Sequence, residues 1–199
     1  GSALAANNIP ALAFVTTMLA PAATLVVWTF LDLLRSGKPT AVGAATAIVV
    51  GLVAVTPAAG FINPINAILL GGLAALPSYF ALIIRARTTL DDTLDVVAAH
   101  GVGGTVGALL TGVFAERAVN GLADGLLYGN PGQVGVQAMA VAAAIVYSGA
   151  MSFILLKVIG AFMPLQVGVS DEGAGLDITQ HGEEAYLHVG GASSQAHAG

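Results

Sequence analysis

Residues 91–114 read DDTLDVVAAHGVGGTVGALLTGVF, an acidic start followed by an apolar run to Phe114 whose one ionisable side chain is His100. The hydrocarbon core of a bilayer is about 30 Å thick and takes roughly 20 apolar residues of helix to cross. This run is long enough to do so. Asp91, Asp92 and Asp95 suit a solvated helix start, where carboxylates complement the positive end of the helix dipole. The stretch therefore predicts a membrane-spanning helix over 95–114 that carries a histidine inside it.

Working outward, four more windows of similar character appear at 9–34, 40–56, 64–84 and 133–162. They are separated by Arg35-Ser36-Gly37-Lys38-Pro39, by Pro57-Ala58-Ala59-Gly60 with Asn63-Pro64, by the cationic and acidic stretch 85–95, and by a Gly- and Asn-rich loop at 115–132. The whole chain agrees with this reading. Of its 199 residues 56% are hydrophobic and 9% charged, against about 25% charged in soluble domains. Its mean hydropathy is +0.86, and 26 glycines suit helices that approach closely in lipid. The predicted fold class is all-α, a polytopic membrane bundle of five transmembrane helices over 1–163, followed by a carboxyl-terminal tail over 164–199 whose end is expected to be disordered.

Composition also excludes functions. Six Lys+Arg against eleven Asp+Glu give a formal net charge of -5, so no basic patch for nucleic acid exists. Without cysteine there is no disulfide framework, thiolate metal site or thiol nucleophile. Neither HExxH nor a P-loop nor GxGxxG after a strand occurs, and Ser148 and Ser152 have no base beside them, so no enzyme, catalytic residue, cofactor or metal ligand is expected.

Cations set the orientation, because short cytoplasmic loops collect Lys and Arg. Arg35, Lys38, Arg85, Arg87 and Lys157 all fall on one side, with Arg117 opposite. The amino end is thus expected outside and the carboxyl tail in the cytoplasm. A chain that starts outside on Gly1-Ser2, with an odd number of spans, is expected to be part of a longer polypeptide.

His100 stands five residues beyond Asp95, roughly 7 to 8 Å into its span. Facing lipid, its donor and acceptor would both go unpaired at a cost of a few kcal/mol, so it is expected to face protein or a pore. Asp95 is five positions away, about 140° around a helix, and is read as an anchor at the helix start rather than as an orienting partner. Gly101, Gly103, Gly104 and Gly107 clear space for a narrow passage or for tight packing. Trp28 and Tyr79 are read as interfacial rings. His181, His188 and His197 lie in the tail, away from any pathway through the bundle.

The stretches GSALAANNIPALAFVTT, GAATAIVVGLVAVTPAAGFI, DTLDVVAAHGVGGTVGALLTGVFA, DGLLYGNPGQVGVQ and GLDITQHGEEAY together resemble the carboxyl-terminal half of the ammonium transporter (Amt/Mep/Rh) family. By that resemblance the five helices are similar to the seventh to eleventh spans of the family, whose members form trimers with a pore in each subunit. The resemblance implies transport of ammonium or ammonia by a cell-membrane homotrimer in contact with the lipid bilayer. It also implies a PII-type signalling protein as a candidate partner at the cytoplasmic face. His100 matches the second of two hydrogen-bonded pore histidines, Ser2 a serine that helps hold ammonium at the outer vestibule, and Val96 a position on the apolar pore wall. Val97 stands where many members have a larger residue. Two other readings stay open at this point: an ammonium sensor with little flux, and a fragment that is nonfunctional because half the pore is absent.

Overall fold

The computed structural model describes residues 6–183, and these are helices and turns with no strand among them. The helices are α1 (Asn8–Ser36), α2 (Ala41–Val55), α3 (Pro64–Arg85), α4 (Gly103–Phe114) entered through a π turn (Val97–Val102), the short α5 (Arg117–Asn120), α6 (Gly132–Gly160) and α7 (Val169–Ala174). Side chains cap the starts of the first three. Asn7 accepts from Ile9 N, Thr40 from Gly43 N and Asn63 from Asn66 N, in each case pairing an N–H that the helix itself leaves open.

Among the described residues, four segments are long and apolar enough to cross a membrane: Asn8–Ser36, Pro64–Arg85, Val97–Phe114 and Gly132–Gly160. The second predicted window is a shorter apolar helix of 15 residues. Thr40 caps it at one end, and the Pro57–Gly60 turn follows it closely at the other.

The chain forms two compact units, 1–146 and 147–199. In the first, α1 packs on both α2 and α3, and α2 and α3 hold the π turn and α4. Small residues make this possible. A Cβ on Gly71 would strike the backbone of Ala20 in α1, and one on Gly107 would strike the backbone of Ala54 in α2. Hydroxyls then tie backbone to backbone. Thr24 Oγ1 donates to Gly71 O at 2.8 Å and Thr16 Oγ1 to Ala59 O at 2.8 Å, so each links α1 to a neighbouring segment. With little hydrophobic drive between helices in lipid, such contacts and bonds carry the association.

The buried interior is correspondingly fine-grained. One cluster gathers Ala20, Ala54, Val55, Ile62, Leu70 and Phe114 with further alanines. The other holds Trp28, Ala47, Val50, Tyr79 and Ala99. This second cluster shows which way the two rings, read as interfacial, face. Trp28 and Tyr79 are buried and pack edge to face at 4.9 Å between centroids, and Tyr79 OH donates to Asp32 at 3.1 Å. The carboxylate of Asp32 offers the phenol a partner inside the bundle, which an outward ring would have sought in the headgroups.

At the other end of the bundle the loop after α4 is sewn down by polar bonds. Glu116 N donates to Phe61 O, Asn120 Nδ2 to Gly60 O, and Tyr128 OH accepts from Asn63 and Asn66 at 3.2 and 2.9 Å. The second unit comprises the later part of α6, α7 and a further π turn, Asp177–His181. In it Thr179 Oγ1 donates to Gly175 O at 3.0 Å.

Candidate functional site

The segment leading to His100 begins with charge. Asp92 spans two successive N–H groups, accepting from Val96 N through one carboxylate oxygen and from Val97 N through the other, each at 2.8 Å. Asp95 lies in the left-handed region, at φ 55°, and its carboxylate pairs with Arg85 at the end of α3. Aspartate bears this conformation better than most residues. These acids were expected to be merely solvated, with Asp95 as the anchor. In the structure Asp92 does the capping and Asp95 ties the segment to α3.

Beyond this start the chain follows a π register over Val97–Val102. Gly103 N donates to Ala98 O and to His100 O, passing over Ala99 O, the acceptor that an α register would use. Single π turns inside α-helices recur at functional sites. The turn has two faces. Ala98 and Ala99 are buried, and Gly103 and Gly107 continue that side against α3 and α2. On the other, Val96 and Val97 are each 48% exposed, and His100 and Gly101 are exposed beside them. The glycines, read as clearing space for a narrow passage or for tight packing, differ in their surroundings. Gly107 packs against α2, whereas a Cβ on Gly101 would meet nothing nearer than Val97 Cγ1 at 4.0 Å.

Among the described residues His100 has no side-chain hydrogen bond. Its imidazole is an uncovered donor and acceptor on an apolar face. Val96 shares that face, whereas Ser2 lies outside the described residues. No group of three or more His, Cys, Asp or Glu able to hold a metal ion occurs among the described residues. Both carboxylate oxygens of Asp92 are engaged by N–H groups, and Asp95 Oδ1 is engaged by Arg85. Sequence reasoning missed the π register and the division of labour between the acids. A carboxylate four residues ahead of a helical N–H was the legible signal for Asp92.

A bundle of long apolar helices joined by small residues and hydroxyl bonds defines a multi-pass helical membrane protein. Comparison with known proteins narrows this. The profile of the Ammonium Transporter Family matches residues 1–186, and the chain belongs to that family. An ammonium transporter of Aquifex aeolicus is 46% identical over 187 residues, covering 94% of this chain and 44% of the relative. One from Bacillus subtilis is 38% identical over 188 residues, covering 94% of this chain and 46% of the relative. The crystal structure of Saccharomyces cerevisiae Mep2 superposes with a TM-score of 0.76 at 30% identity, covering 83% of this chain and 39% of that one. The chain thus spans less than half the length of these relatives.

Proposed function

We propose that this chain supplies one wall of a path for ammonium or ammonia across the membrane, with His100 lining it, Val96 contributing apolar surface and Ser2 standing at its outer mouth. The observation that carries the reading is an exposed imidazole on an otherwise apolar face of a membrane-length helix. Such a group is tolerated where it meets a partner or a polar file, not acyl chains. The relatives are named ammonium transporters, and the portion of their length that this chain does not span is where the facing wall would come from.

The chemistry follows from the cost of charge. A bare ammonium ion in an apolar passage is unfavourable by far more than the neutral molecule, so shedding a proton before entry lowers the barrier. A neutral imidazole then both donates and accepts, and can pass hydrogen bonds along a file of small polar molecules. On this reading the protein sits in a cell membrane as a homotrimer, with its amino end outside and its tail in the cytoplasm, as the cation distribution favours.

The experiment uses the longest natural polypeptide that contains these residues, purified and reconstituted into vesicles. With His100→Ala we expect ammonium-driven flux, or its selectivity over potassium, to change by about tenfold, the effect of about 1.4 kcal/mol on a barrier. That matches the loss of one or two hydrogen bonds along the path. Flux and selectivity equal to the parent protein would remove His100 from the pathway.

A further inference from the structure

We propose that the Arg85–Asp95 ion pair is a positioning element for conduction: it holds Asp95 in the left-handed conformation that opens the π turn, and thereby fixes the direction of the His100 imidazole. The inference rests on the conduction reading of His100 given above.

The argument starts from Asp95. An L-residue at φ 55° carries a steric penalty that something must offset. Its own amide donates to Asp92 O at 3.2 Å and its carbonyl accepts from Ala99 N at 2.9 Å, so the residue is held on both sides of the reversal. The carboxylate reaches back to Arg85, which closes the last turn of α3. Both side chains are largely covered, at 24% and 21% exposure, and Arg85 Nε is buried with no partner of its own. A covered pair is less screened than a surface one, and its carboxylate is the acceptor this guanidinium has nearby.

The π turn converts that anchor into aim. A π turn holds one residue more than the α register would between the same ends, and each residue of an α-helix turns the chain by about 100°. Relaxing the turn to α would therefore swing His100 by a comparable angle relative to one of its flanks. The far flank is fixed by close packing, with Ser78 fully buried 3.3 Å from where a Gly103 Cβ would stand, and Gly107 against Ala54. The near flank is fixed by Asp92 and Asp95. Asp92 only caps N–H groups within its own segment, whereas Asp95 ties that segment to a neighbouring helix. The imidazole's bearing relative to the bundle thus depends on the pair.

The test compares Asp95→Asn, which tolerates the left-handed region and keeps an acceptor for Arg85, with Asp95→Ala, which does neither well. Arg85→Lys against Arg85→Gln repeats the comparison from the other side. In the longest natural polypeptide, Asp95→Ala and Arg85→Gln are expected to shift the ratio of ammonium to methylammonium flux by about threefold or more, as small misplacements of an orienting group do. They are also expected to speed hydrogen exchange at amides 97–103 by about tenfold. Asp95→Asn and Arg85→Lys should stay near the parent in both. Unchanged exchange in Asp95→Ala and Arg85→Gln overturns the proposal whatever happens to flux. Faster exchange with an unchanged flux ratio makes the pair a stabilising tie only, and overturns the positioning role. A parent protein that conducts no ammonium defeats the conduction reading instead, and with it the role in conduction, while exchange then decides whether the pair sets the π register. Should Asp95→Ala fail to accumulate, the two Arg85 variants carry the test.

Discussion

Replacing Gly107 with alanine adds one methyl group where α4 crosses α2. An ideal Cβ at Gly107 lies 2.6 Å from Ala54 Cα and 2.7 Å from Ala54 C, against the 3.5 to 4.0 Å or so at which carbon atoms attract. The obstacle is backbone, so no rotamer change relieves it, and the two helices must separate by about 1 Å. Ala54 is fully buried and α2 also packs on α1, so the displacement spreads into the bundle. Overpacking of this kind costs about 1 to 3 kcal/mol, and the absence of a flexible neighbour places it near the upper end. Alanine's better helix propensity returns about 1 kcal/mol. The expected net loss is about 2 kcal/mol. Gly149→Ala in α6 is the control, because nothing lies within 4 Å of its Cβ position, and it is expected to be neutral or more stable by up to about 1 kcal/mol. Equilibrium unfolding in mixed micelles measures both. If Gly107→Ala is as stable as Gly149→Ala to within about 0.5 kcal/mol, glycine-mediated contact is not what joins α4 to α2.

Thr24→Val keeps shape but removes the hydroxyl that donates to Gly71 O and Ala20 O, and is expected to lower stability by about 0.5 to 1.5 kcal/mol in the same unfolding assay, whereas Thr24→Ser stays nearer the parent. Tyr128→Phe deletes the oxygen that accepts from Asn63 and Asn66, leaving Asn66 a longer bond to Phe114 O at 3.4 Å; about 1 kcal/mol of local stability is expected to go, read as faster proteolysis of the 115–131 loop.

The helical membrane bundle was legible because an apolar run of membrane length has few other ways to pair its backbone than as a helix in lipid. His100 was legible as an oddity for the same reason: in an apolar run a single imidazole stands out whatever its neighbours do. What the sequence concealed depends on which carbonyl each N–H finds. The run from Val96 to Gly104 has the same composition in α and π registers, and only the reversal at Asp95 and the double cap by Asp92 select between them. The inward turn of Trp28 and Tyr79 was hidden too, because interfacial placement follows from position along a helix while burial follows from which face meets a neighbour. That face was decided by Asp32 and the small Gly43, with an ideal Cβ at Gly43 only 3.4 Å from Trp28 Nε1.

Many polar side chains of the bundle are paired within it, although Ser78 Oγ and Arg85 Nε are buried with no partner among the described residues. Within the helices, the hydroxyls of Thr16, Thr24 and Thr111 each donate to a backbone carbonyl, Asn66 bonds Tyr128, and Tyr79 bonds Asp32. Each of these side chains meets its partner within the bundle and asks nothing of its surroundings. His100 is exposed and has no side-chain hydrogen bond among the described residues, although the chain around it is held by a double cap, an ion pair and close packing against two helices. A segment so firmly fixed does not leave its one ionisable group uncovered through looseness. Rigid support beneath an unpaired donor and acceptor is the arrangement that holds a group ready for a partner, and an apolar surround of Val96 and Val97 strengthens whatever bond it then makes. On the proposed conduction reading, the pairing that His100 lacks comes from groups outside the described residues: a facing wall, the molecules that move along it, or both.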